Sequence, residues 1–61
     1  MTAKDIKRIR TEALLTQKEF ADELGVSIAT IQTWEHGTIT DMRFNNIRRV
    51  LEFCNRKGIS L

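Results

Sequence analysis

The chain has 61 residues and a formal net charge of +2, from ten Lys and Arg against eight Asp and Glu. This length allows one small domain, residues 1–61, and makes a substrate pocket hard to enclose, which argues against an enzyme. With 41% hydrophobic residues, the composition is too apolar for a disordered chain. No apolar run reaches the roughly 18–20 residues of a membrane helix, so no membrane partner is expected. The start also lacks the apolar stretch of a secretory signal.

Residue types that carry catalysis or bind metals are scarce. One cysteine, Cys54, cannot form an internal disulfide, and together with the single histidine, His36, it cannot build a structural zinc site. No nucleophile–base pair or acid dyad is evident either. We therefore expect no cofactor, no metal and no catalytic residue, and a reducing cytoplasm as the compartment. Cys54 has the spacing of a small buried hydrophobe.

Helical periodicity extends over nearly the whole chain, and strand signals are almost absent. The first predicted helix spans residues 2–15, with Ile6, Ile9, Ala13 and Leu14 on one face. Arg10 falls inside the same arc. The sequence therefore predicts an all-α fold, a bundle of four short helices.

The second and third predicted helices span residues 17–24 and 28–36 and are joined by a very short connection. Thr16 and Ser27 are good N-cap residues, and Gly25 supplies the positive φ that ends the second helix. A joint this tight forces the two helices to cross steeply, as in a helix-turn-helix. Ala21 permits close approach of the helices, while Ile31 and Trp34 are expected to face the core.

The fourth predicted helix spans residues 42–55. Its core face is expected to carry apolar residues at helical spacing, namely Phe44, Ile47, Val50, Leu51 and Cys54. Asp41 is expected to cap this helix. A second, weaker stripe on the opposite side contains Met42, Arg49 and Phe53, and its exposed Met and Phe suggest a contact surface.

The C-terminal tail has two interpretations. Its residues alternate between apolar and polar, which fits a short strand or an extended tail. We expect a homodimer interface formed by Met42, Phe53, Ile59 and Leu61. The alternative is that the tail folds back onto the core of its own chain.

The segment from residue 17 to residue 37 resembles the Cro/C1-type (XRE-like) helix-turn-helix family of phage repressors and bacterial regulators. The resemblance extends over roughly residues 4–55. It rests on several fixed positions: Gln17, Ala21, Gly25, Val26-Ser27, Ile31, Trp34-Glu35 and Gly37. It implies a lambda-repressor-like bundle that binds double-stranded DNA with its third helix in the major groove.

The resemblance also implies which side chains contact DNA. The side chains opposite the core face of the third helix would contact the bases: Ser27, Ile28, Ala29, Gln32, Thr33 and His36. Ile28 lies at the edge between the core face and this outer face. Gln can pair with adenine, and Ala or a Thr methyl can contact the thymine methyl. Residues that would meet the phosphate backbone are Gln17, Lys18, Thr38 and Arg43. The alternative for the third helix is an ordinary solvated face, and for Gln17 an ordinary first-turn residue.

Arg10 and Glu35 each lie beside an apolar stripe, and a buried charge without a partner is costly. Some members of the family pair an Arg of the first helix with a Glu that closes the third. We therefore expect a structural ion pair between Arg10 and Glu35.

The function that these features favour is a small transcriptional regulator, in particular a repressor, that binds a palindromic operator as a homodimer. The alternative is a protein-interaction module or an antitoxin-type protein that binds a protein partner with the same fold. The weak positive charge and the apolar outer stripe keep this alternative open. Salt-sensitive retention on DNA would discriminate between the two.

Overall fold

The computed structural model describes residues 1–37 and 42–61. It contains four helices: α1 (Ala3–Glu12), α2 (Gln17–Leu24), α3 (Ile28–Glu35) and α4 (Phe44–Lys57). The described ranges contain no strand. The prediction of an all-α bundle of four short helices is confirmed, with α2 ending where it was expected. Thr38 and Asp41 lie outside the described residues.

Side-chain caps fix where the first three helices begin. Thr2 accepts a hydrogen bond from the backbone N–H of Asp5, and the Asp5 carboxylate accepts one from the N–H of Thr2. Thr16 and Glu19 form the same reciprocal arrangement at the start of α2. Ser27 accepts from the N–H of Thr30 at the start of α3. These short polar side chains satisfy donors that the helices leave open.

Helix α1 is shorter than predicted because the chain turns sharply after Glu12. Leu14 adopts a left-handed φ of 60°. Its N–H donates to the carbonyl of Thr11, and the N–H of Leu15 donates to the carbonyl of Arg10, as in a Schellman motif. Leu14 is 89% exposed, so its predicted place on the core face is wrong. Ala13, also predicted there, is partly buried against the core.

Side chains from all four helices form a single core. Its buried residues are Ile6, Ile9, Phe20, Ala21, Leu24, Ile31, Trp34, Val50, Phe53 and Cys54. The rings of Phe20 and Phe53 meet edge to face, with centroids 5.1 Å apart. This contact joins α2 to α4 and adds to the energy of burial.

The inward face of α4 differs from the predicted one. Phe53, expected on an exposed stripe, is completely buried, whereas Phe44 is 72% exposed and Leu51 is 41% exposed. Val50 and Cys54 are buried as expected, and Ile47 is partly exposed. Compared with the prediction, α4 is rotated about its axis, so that Phe53 rather than Leu51 joins Val50 in the core. The reason is that the Phe53 ring packs on Phe20.

The rest of the predicted dimer surface also lies largely against its own chain. Met42 and Ile59 are partly buried and pack against the core, while Leu61 is 62% exposed. The N–H of Ile59 donates to the carbonyl of Cys54, and Arg8 of α1 donates to the backbone oxygen of Leu61. The tail therefore folds back onto its own chain, which was the alternative interpretation.

None of the helices in the described part of the chain combines the length and the apolar character needed to cross a membrane.

Candidate nucleic-acid interface

The connection between α2 and α3 has the compact geometry that a helix-turn-helix requires. Gly25 ends α2 with a φ of 73°, a conformation that other residues rarely adopt. The N–H of Val26 donates to the carbonyl of Ala21 at 3.0 Å, which closes the turn. Ala21 is 2% exposed, so its small side chain lies inside the helix pair. These features hold α3 directly against α2.

The outward face of α3 brings together the side chains predicted to contact bases. Ile31 and Trp34 are buried on the opposite face, Thr30 and Glu35 are partly buried, and the remaining positions of the helix are open to solvent. One shallow surface depression is lined by four of the predicted residues: Ala29, Gln32, Thr33 and His36. Ser27 and Ile28 are also exposed, at the start of the helix.

The polar side chains on this face differ in the hydrogen bonds that they already make within the chain. The Thr33 hydroxyl donates to the carbonyl of Ala29 at 2.9 Å, so its methyl group and oxygen lone pairs remain for a ligand. The Ser27 oxygen is within 2.9 Å of the Thr30 hydroxyl oxygen. The described side chains of this face include no Lys, Arg, Asp or Glu. The face is therefore suited to reading base edges rather than to neutralising phosphates.

The two predicted phosphate-contacting residues at the start of α2 are placed differently. Gln17 is partly buried, and its side-chain amide donates to Glu35 at 3.3 Å. Lys18 is exposed and lies 3.3 Å from Asp22 one turn further along. Such an exposed pair contributes little to stability, so Lys18 can exchange this partner for a phosphate at small cost.

Arg10 and Glu35 form an ion pair, and the Glu35 carboxylate of this pair also accepts the hydrogen bond from Gln17. Arg10 Nε donates to Glu35 Oε2 at 2.7 Å and Nη2 donates to Oε1 at 3.1 Å, a two-point contact. Their side chains are only 14% and 7% exposed. Arg10 Nη1 also donates to the carbonyl of Leu15. The pair therefore ties α1 and the following turn to the end of α3.

The Glu35 carboxyl group has a lowered pKa. Burial by itself raises this pKa, but the hydrogen bonds from Arg10 and Gln17 and the charges of Arg10 and Lys7 outweigh burial. Glu35 is therefore held as a carboxylate that accepts hydrogen bonds from both neighbours.

The remaining predicted phosphate-contacting residue in the described ranges is Arg43. It is exposed and occupies the N-cap position of α4, without a side-chain capping bond. Among the described residues, no group of three or more His, Cys, Asp and Glu side chains is placed to hold a metal ion.

Sequence reasoning missed the position of Arg49. Its Nη1 donates to the carbonyls of Leu24 and Gly25, at 3.1 and 2.8 Å, where α2 ends. The available signal was indirect: α2 has no basic residue in its own last turn. A helix C-terminus favours a cation, and here a distant helix supplies it.

A comparison with protein families agrees with this geometry. The family model described as helix-turn-helix, of the Cro/C1 type, matches residues 6–60. The chain belongs to this family. It is therefore a DNA-binding helix-turn-helix regulator, and α2 and α3 form the motif. No curated protein and no solved structure matches the chain at a significant level.

Proposed function

We propose that this helix-turn-helix protein is a repressor that binds a specific double-stranded DNA sequence with α3 in the major groove. The exposed face of α3 carries the proposal, since it presents Ala29, Gln32 and Thr33 around one shallow depression. An amide can pair with adenine in two-point fashion, and the small apolar groups fit thymine methyl groups.

Backbone contacts position α3 on the duplex. The start of α2 offers Gln17 and Lys18, the start of α3 offers Ser27, and Arg43 marks the start of α4. Helix N-termini attract phosphates because their open N–H groups and the helix dipole both favour an anion. A net charge of +2 adds only mild attraction, so we expect modest affinity for a single copy.

We also propose that two copies bind a palindromic operator through a self-complementary contact between their α4 helices. Phe44 and Leu51 are exposed two turns apart on one side of α4. An antiparallel pairing places Phe44 of each copy against Leu51 of the other, as a two-fold interface requires. These side chains offer far less than the roughly 800 Å² per partner of a stable interface. The contact is therefore expected to act when DNA holds both copies, with half-sites about one helical turn apart.

Salt-dependent DNA binding tests the proposed function. With two cationic phosphate contacts, from Lys18 and Arg43, affinity for a mixed-sequence duplex should fall on the order of tenfold when salt rises from about 50 to about 200 mM. Fluorescence anisotropy of a labelled duplex measures this. Arg43→Gln should reduce the slope of log affinity against log salt by about one.

Arg56→Gln is the matched control, because it removes the same charge from the other end of α4 and should leave the slope unchanged. A wild-type protein that fails to bind the duplex at the lower salt concentration would contradict DNA binding and favour the protein-interaction alternative.

A further inference from the structure

Two long-range arginine contacts hold the helix-turn-helix, one at the end of α3 and one at the turn between α2 and α3. Arg10 of α1 binds Glu35, the last residue of α3. Arg49 of α4 donates to the carbonyls of Leu24 and Gly25, where α2 ends and the turn begins. The first pair is accounted for above, whereas the second lies outside the proposed DNA-contacting surface and needs its own explanation.

The site that Arg49 occupies favours a cationic hydrogen-bond donor. A helix ends with open carbonyl groups that carry partial negative charge. One nitrogen of Arg49 donates to two of these carbonyls at 3.1 and 2.8 Å. A Cβ atom on residue 25 would come within 3.3 Å of the same nitrogen, so the absent side chain of Gly25 makes room for the contact. Gly25 therefore serves both the left-handed turn and the close approach of Arg49.

The carbonyls that Arg49 binds directly precede the residues that start α3. Val26 and Ser27 follow Gly25, and Ser27 caps α3 through the N–H of Thr30. The orientation of the carbonyl of Gly25 fixes the peptide plane that leads into this cap. A change at this peptide would shift the start of α3, where Ile28 and Ala29 lie exposed on its outer face.

We propose that Arg49 is a positioning residue for DNA recognition: by holding the turn between α2 and α3 against α4, it sets the orientation in which α3 meets the bases. This proposal rests on the proposed function of α3. Arg49 itself need not touch DNA, and its effect should fall on sequence discrimination rather than on general attraction to phosphates.

The chain offers a matched control at the preceding position. Arg48 lies on the same helix and is exposed, as Arg49 is, but it makes only a loose 3.7 Å ion pair with Glu52 one turn further on. Arg48→Met and Arg49→Met therefore remove the same charge from adjacent positions, but only the second releases the turn. Arg49→Lys keeps the charge and offers donors to the same carbonyls, although without the planar guanidinium.

The test measures affinity for a selected operator and for a mixed-sequence duplex, at a temperature where circular dichroism shows every variant to be folded. Arg49→Met is expected to lower the ratio of operator to mixed-sequence affinity about tenfold, because a charge-assisted contact that orients the reading helix is lost. Arg48→Met should leave that ratio unchanged, and Arg49→Lys should recover part of it. Hydrogen exchange of the Val26 amide, which donates to the carbonyl of Ala21, should accelerate in Arg49→Met and not in Arg48→Met.

Equal ratios of operator to mixed-sequence affinity for Arg48→Met and Arg49→Met would overturn the proposal. This holds even if Arg49→Met unfolds more easily, because Arg49 would then contribute only to stability and to overall charge. Failure of the proposed function is distinguishable, since the wild-type protein would then show no operator preference at all.

Discussion

Replacing Glu35 with alanine is expected to lower the free energy of unfolding by about 3 kcal/mol, because Arg10 would remain as a largely buried charge without its carboxylate partner. Arg10 is 14% exposed and donates twice to Glu35. A domain of this size has only a few kcal/mol of stability, so the variant should be largely unfolded at room temperature. Urea denaturation followed by far-ultraviolet circular dichroism, in the presence of a stabilising osmolyte, measures the loss.

The matched control removes both charges at once. Arg10→Met with Glu35→Leu replaces the pair with apolar side chains of similar volume and should cost clearly less than Glu35→Ala alone. A cost below about 0.5 kcal/mol for the single variant would show that the pair behaves like an exposed surface ion pair.

Acidification should weaken the same contact. The folded protein holds the pKa of Glu35 below its ordinary value of 4.5, so folding favours the carboxylate. The stabilisation is complete above pH 4.5 and is lost as the pH falls through the lower folded-state pKa. Backbone and side-chain hydrogen bonds from Thr2 also lower the pKa of Asp5, which titrates in the same direction. Comparison with Glu35→Gln isolates the contribution of Glu35, because this variant should show a shallower loss of stability in acid.

Truncation of Phe53 is expected to have a similarly large effect. Phe53 is fully buried against Phe20, and Phe→Ala changes in a core cost about 3–5 kcal/mol. Thermal unfolding of Phe53→Ala should therefore show an unfolded chain. The milder Phe53→Leu should retain a measurable transition at a lower temperature, independent of protein concentration.

Phe44→Ala provides the contrast on the same helix. Phe44 is 72% exposed, so its truncation should leave the free energy of unfolding nearly unchanged while it weakens cooperative binding of two copies to DNA. If Phe53→Ala instead left the monomer stable and reduced only pairing, the assignment of Phe53 to the core would be wrong.

The elements that the sequence predicted well are those determined by local chemistry. The start of α2 is fixed by Thr16 and Glu19, and its end by Gly25. Both signals act within one helical turn and need no knowledge of the rest of the fold. The same holds for Ser27 at the start of α3. The inward position of Ile31 and Trp34 followed from their helical spacing.

The features that sequence reasoning missed depend on packing between distant segments. Periodicity on α4 allowed two apolar arcs, and only the contact with Phe20 decides that Phe53 lies inside and Leu51 outside. Leu14 occupies a left-handed position where glycine is usual, so the early end of α1 had no local signal. The Arg49 contact joins residues that no periodicity relates.

One measurement tests the placement of the individual DNA-contacting residues most directly. Selection of bound sequences from a random duplex pool, at two salt concentrations, should enrich a palindrome with half-sites about one helical turn apart. The double variant Gln32→Ala with Thr33→Ala, altered on the exposed face of α3, should lose this enrichment while it keeps salt-sensitive binding to DNA in general. Absence of enrichment with the wild-type protein, or equal enrichment with the double variant, would contradict the account of α3 as the reading helix.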